Sequence, residues 1–271
     1  MDFNDMIKVD FDCSTCNKLK RENQRIPVKR VIERLDDCFK TNDLDSARGL
    51  LEYWAEEAKN VKDLSGELSV VNEMLGLYRK TQEKEKGKKA VVRAIELLGA
   101  TKNDRTLSGA TIMINAATTS NAFGNPEKAV PLYEKAIEIY EENRVPKDDL
   151  MYGALYNNYA TTLVDIKEFE KAKKLYEKAI EITGREIISL LDCAVSYVNL
   201  AHLYEGWQGG LSEEIGRCLE KAEEILNDKR IERNSYYAFV SEKCAPSFDY
   251  FGYFAFAEEL TDKARKIYEG A

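Results

Sequence analysis

The chain has 271 residues, 32% of them charged and 44% apolar, and a formal charge of −8, so it can bury a substantial core in one or two domains. A surface this acidic argues against nucleic acid as the main ligand, because neutralising phosphates needs clustered Lys and Arg. Only 5 prolines interrupt it, and the mixture suits helices that are apolar on one face and solvated on the other.

Residues 1–26 read as an N-terminal arm or an extra helix. They lack a signal-peptide core, and no apolar run approaches the roughly 18 residues of a membrane span, so no membrane partner and a cytoplasmic location with reduced thiols are expected. Cys13 and Cys16 are the one close cysteine pair. Their spacing could make half of a zinc site, but no second half exists and the single histidine, His202, lies far along the chain. No metal or other cofactor is expected. Cys38, Cys193, Cys218 and Cys244 fall in helical segments, where cysteine is mostly a small buried hydrophobe.

From Ile26-Pro27, which reads as a helix start, the chain resolves into helix pairs. Leu155 to Leu163 and Phe169 to Ala179 each place apolar residues at i, i+3/i+4 and i+7, with a short polar break between them. The segment from Ala117 to Ala136 repeats the pattern. A small residue opening each second helix recurs at Ala47, Gly87, Ala129 and Ala172, and again at Ala257, with Ile215 holding the fifth position. The separations are 40, 42, 43, 43 and 42 residues. Pairs are expected over about 27–60, 62–99, 105–144, 148–184, 187–227 and 231–271.

These residues resemble the tetratricopeptide repeat. First-helix pairs Ala160/Leu163, Ala201/Tyr204 and Ala245/Phe248 match its pattern, as do second-helix pairs Tyr133/Ala136, Tyr176/Ala179, Leu219/Ala222 and Thr261/Ala264. Gly124 and Gly252 match its turn glycine. The period exceeds the common ~34 residues, as in the kinesin-light-chain-like branch. The resemblance implies an all-α fold, a right-handed α-α superhelix of about six helix-turn-helix repeats spanning 27–271. Three departures stand out. Trp54 occupies a small-residue position, Trp207 to Gly210 lengthens the fifth turn, and Pro246 is expected to kink or break the sixth first helix.

One stripe of each first helix points away from its own partner, toward the concave face that solenoids use for binding. It holds Thr111, Ile114, Asn115 and Thr118 in the third repeat, then Ala154, Asn157, Asn158 and Thr161 in the fourth. In the fifth it holds Val195, Val198, Asn199 and His202. Asn115, Asn158 and Asn199 share one register, and Asn72 of the second repeat stands one position earlier. Asparagine is a mediocre helix former, so its recurrence needs a reason. Carboxamides can pair with the backbone of an extended peptide, which is their use in the branch this chain resembles. The alternative is that each bonds a neighbouring helix. The candidate peptide-binding residues are Asn115, Thr118, Asn157, Asn158, Thr161, Asn199 and His202. The groove stripes of repeats two to five show no Lys or Arg, and Lys243 of the sixth is the one groove cation, so a clamp for acidic tails is not expected.

Nine aromatics lie between Tyr236 and Phe256, more than one helix pair readily buries, so self-association through this end is a further expectation. No phosphate-binding loop, HExxH or GxSxG motif is present, and no enzyme activity is expected. The reading is a scaffold or adaptor that holds a protein or peptide in its groove. The alternative is a peptide-sensing regulatory domain of the bacterial pheromone-receptor type.

Overall fold

The computed structural model describes residues 25–270; Cys13, Cys16 and the N-terminal arm lie outside them. Among the described residues there are twelve α-helices and no strand. They fall in six antiparallel pairs. These are α1 (Val28–Lys40) with α2 (Leu44–Asn60), α3 (Leu64–Lys80) with α4 (Lys84–Ala100), and α5 (Leu107–Ala122) with α6 (Pro126–Glu142). Then come α7 (Leu150–Asp165) with α8 (Phe169–Thr183), α9 (Leu190–Gln208) with α10 (Glu213–Leu226), and α11 (Ser235–Tyr250) with α12 (Phe254–Glu269). Each first helix packs on its own second helix and on the first helix of the next pair, which makes the molecule an all-α repeat solenoid.

Local chemistry sets the helix ends. Asp43, Asp63, Thr106, Asp149 and Asn234 each accept a first-turn backbone N–H with a side-chain oxygen, satisfying donors that have no partner within the helix. Each first helix of a pair stops at a left-handed residue: Asn42, Gln82, Gly124, Lys167, Gly209 and Gly252. In five of the six pairs two backbone hydrogen bonds close the turn in the Schellman manner, as with Glu83 N–H to Tyr78 O (2.9 Å) and Gln82 N–H to Arg79 O (3.3 Å). The lengthened fifth turn instead carries a single bond, Gly209 N–H to Glu205 O at 2.9 Å.

Packing depends on small residues where helices cross. Ala47, Ala129 and Ala172 are fully buried. In the first pair Trp54 is only half-buried, packed edge-on against Tyr53, and Ala55 and Ala58 sit in the interior instead. Gly87 is the tightest crossing: a Cβ there would lie 2.1 Å from the Phe123 ring of the next repeat. Cys193, Cys218 and Cys244 are buried, and burial pushes their thiols up to about 11, 11 and 12. These thiols are packing groups, unreactive at neutral pH.

Two expectations need correction. Pro246 does not break its helix: α11 runs unbroken from Ser235 to Tyr250, and α6 likewise runs through Pro131. Both prolines lie on exposed faces, where water can satisfy the carbonyl left without its donor. The expectation that no run nears membrane length also fails for Ile187–Gln208, a helical stretch of 22 residues whose most apolar 18-residue window has mean hydropathy 1.4. Of its most apolar window, 56% is buried within the fold, because α9 packs against α7, α8, α10 and α11.

Gly87→Ala tests the packing argument. The added methyl strains the Phe123 contact by about 1–3 kcal/mol, more than the ~1 kcal/mol it gains in helix propensity. Thermal melts should show a lower Tm, whereas Gly99→Ala, with open space around its Cβ, should raise it.

Candidate binding groove

The first helices line the concave face, and the structure separates the candidate residues into three kinds. Thr118 and Thr161 act within their own repeats. Each hydroxyl meets the phenol of the buried tyrosine on its second helix, Tyr133 or Tyr176, at 2.9 Å. Each also bonds a carbonyl one turn back, Ile114 O at 2.8 Å or Asn157 O at 3.0 Å.

Asn115, Asn157 and Asn199 act between repeats. Asn115 donates Nδ2 to Asn72 Oδ1 at 2.9 Å, from α5 to α3. Asn199 donates Nδ2 to Asn157 Oδ1 at 3.1 Å, from α9 to α7, and Ser196 Oγ donates to the same oxygen at 3.1 Å. The two rungs share a geometry. The register asparagine of one repeat reaches the residue one position earlier in the preceding repeat. Arg79 reinforces the first rung, with Nη1 on Asn115 O and on Thr119 Oγ1, both at 3.0 Å. His202 joins the fifth and sixth repeats: Nε2 meets Ser247 Oγ at 2.9 Å and the ring packs at a tilt against Phe251, centroids 4.8 Å apart.

Asn158 is the third kind. It occupies the register of Asn115 and Asn199, but the corresponding acceptor position in the preceding repeat is Ile114, apolar and buried. Its backbone carbonyl accepts from Thr162 Oγ1 at 3.4 Å. Among the described residues no hydrogen bond reaches its carboxamide, which stays half-exposed at the middle of the groove.

Sequence reasoning missed two groove features. Arg79 lies on the stripe of Asn72 and Gly76, a turn beyond the positions compared across repeats, so the expectation of a cation-free groove in repeats two to five is corrected by its bonds to α5. The curl of the solenoid also brings repeat two against repeat six. Lys80 Nζ lies 3.8 Å from Glu242 Oε2, 5.5 Å from the Phe239 ring and 5.8 Å from the Tyr268 ring. Part of the aromatic excess therefore faces this closure, while Tyr237 and Phe248 are fully buried and Tyr250 and Phe254 are exposed.

Residues 110–143 and 153–185 each match a tetratricopeptide-repeat family model. No curated protein sequence matches the chain. Among solved structures, a variant of nearly identical TPR-like repeats assigned to a Podosopora anserina kinesin light chain is 16% identical. The match covers 74% of this chain and 93% of that one, with a TM-score of 0.50. BtubC (BKLC) from P. vanneervenii is 21% identical over 91% of this chain and 92% of that one, with a TM-score of 0.45. YrrB, described as a TPR protein with an unusual peptide-binding site, is 15% identical over 79% and 93%, with a TM-score of 0.43.

The division of labour among the asparagines has a direct consequence for stability. Asn115→Ala and Asn199→Ala each remove a half-buried inter-repeat hydrogen bond and should cost about 1 kcal/mol, while Asn158→Ala should stay within about 0.5 kcal/mol, as read from urea melts. His202 adds a pH dependence. Burial holds its imidazole below the ordinary 6.5, against the opposing pull of Glu205. The unfolded chain therefore takes up that proton more readily. The stability this histidine contributes is full above pH 6.5 and is lost as pH falls through the lowered folded value. His202→Gln should flatten the decline in Tm between pH 7.5 and 5.

Proposed function

The chain is a tetratricopeptide-repeat protein, and from that premise we propose that it is a non-catalytic scaffold whose concave groove grips an extended stretch of another protein or peptide. The observation that carries this reading is Asn158. A half-buried carboxamide in mid-helix, with no partner among the described residues, offers one acceptor and two donors toward the open groove. Its register mates Asn115 and Asn199 hold the neighbouring helices in place and so fix the groove's shape. Thr118 and Thr161 position the walls through Tyr133 and Tyr176. The short side chain of Ala154, exposed one turn before Asn158, leaves room for a peptide backbone to approach. The buried, unreactive thiols suit a cytoplasmic setting but do not require one.

A peptide-sensing role is the second reading, favoured by the closure between repeats two and six. One ion pair whose carboxylate is largely exposed contributes little, so a peptide that filled the groove could shift the curl at small cost. Scattering profiles at saturating peptide separate the two: a change in radius of gyration supports the sensor, and an unchanged profile supports the plain scaffold.

Selection from a display library of random dodecapeptides tests the main reading. Enriched peptides should bind the whole chain, and Asn158→Ala should weaken them at least tenfold while leaving Tm unchanged. Binding that is indifferent to Asn158→Ala would contradict the assignment.

A further inference from the structure

A cavity of about 390 Å³ lies where the loop after α6 meets α7 and α8, lined by Lys147, Asp148, Tyr156, Lys178, Glu181, Ile182 and Arg185. Its volume is within the range of small-molecule sites, roughly 300–1,000 Å³. Four of the seven lining residues belong to the end of the second helix α8 or directly follow it. Tyr156 is on the stripe of α7 that packs against α8, beside Ala179 and Ile182. None of the seven is on the first-helix stripe that lines the groove, so this cavity is a separate place on the molecule.

The floor is buried and the rim is charged. Tyr156 is 8% exposed and Ile182 5%. The other buried phenols nearby have partners: Tyr133 and Tyr176 meet Thr118 and Thr161, and Tyr152 accepts from Lys147 Nζ at 3.3 Å. Among the described residues no hydrogen bond reaches the phenol of Tyr156. Burial raises its pKa, so the group keeps its proton and remains a donor for an occupant of the cavity.

The rim carries two opposite charges that the protein does not cancel. Lys147 is committed to Glu141 at 2.6 Å. Arg185 holds two carboxylates, Asp148 at 3.1 Å and Glu181 at 2.9 Å, so that corner keeps one negative charge. Lys178 stands one turn before Glu181 on α8, the spacing of an ordinary helical ion pair. Its ammonium instead lies 5.5 Å from the centre of the Tyr156 ring, and among the described residues it makes no ion pair or hydrogen bond. A free ammonium and a free phenol thus face one side of the cavity, and a carboxylate pair with one charge in excess faces the other.

We propose that this cavity binds a free α-amino acid with an apolar side chain. The ligand's carboxylate would meet Lys178 and the Tyr156 hydroxyl, its ammonium would meet Asp148 and Glu181, and its side chain would cover Ile182 and the Tyr156 ring. A zwitterion satisfies both poles at once, whereas a plain anion leaves the acids unmatched and a plain cation leaves Lys178 unmatched. The inference stands independently of the groove reading.

The test presents the twenty common L-amino acids singly to the whole chain by saturation-transfer NMR. The strongest binder should have an apolar side chain. Calorimetry then compares it with its N-acetyl derivative, which lacks the ammonium, and its amide, which lacks the carboxylate; it should bind at least tenfold tighter than either. Lys178→Met, a change at an exposed residue, should weaken it at least tenfold with Tm unchanged, and Lys178→Arg should restore most of the affinity. Tyr156→Phe keeps the ring and should cost about fivefold. Binding by none of the twenty, or a strongest binder with a charged side chain, would overturn the proposal. Equal binding of either derivative, or binding indifferent to Lys178→Met, would overturn it as well.

Discussion

In five of the six pairs the residue that opens the second helix is Ala or Gly, with the buried Ile215 the exception, and the close approach these small residues allow shapes most of this molecule. Ala47, Ala129 and Ala172 bury completely at these points, and Gly87 goes further by admitting Phe123 of the next repeat into the space a Cβ would take. Close approach there brings the first helices of successive repeats side by side. Only then can carboxamides on adjacent first helices meet at about 3 Å, as Asn115 and Asn72 do. Backbone packing comes first, and the polar ladder is laid on it.

The ladder is incomplete in a patterned way. Rungs join repeats two and three, and four and five, because Asn72 and Asn157 supply acceptors one position before the register. Between three and four, and between five and six, the acceptor position is Ile114 or Val198, and both are buried apolar residues. The register residues left over are Asn158 and, with Ala245 of α11 aligned on Ala201 of α9, Lys243. A polar group without a rung costs little while water reaches it, and it remains available to a ligand that displaces that water. The solenoid thus fixes its curvature with some register residues and presents others to the groove.

The fold was legible in the sequence because crossing positions tolerate few residue types, so their spacing survives in the text of the chain. The turns were half legible. Glycine marks Gly124, Gly209 and Gly252, but Asn42, Gln82 and Lys167 take the same left-handed conformation, and their Schellman hydrogen bonds offset its modest cost. The groove was legible as a stripe but not as a division of roles. Asn115 and Asn158 look alike in sequence, and what separates them is the residue facing each from the preceding repeat. The approach of repeats two and six was not legible at all. It arises from small rotations summed over four repeats, and no local pattern encodes that sum.

Asparagines of one register are unequal, and their side-chain amide protons report this directly. In a 15N–1H spectrum with hydrogen exchange followed at the Asn Nδ2 groups, Asn115 and Asn199 should exchange slowly. Asn158 should exchange at nearly the rate of a free carboxamide and become protected only when a peptide is bound. Equal protection of all three without peptide, or Asn158 slower than Asn115, would contradict the account.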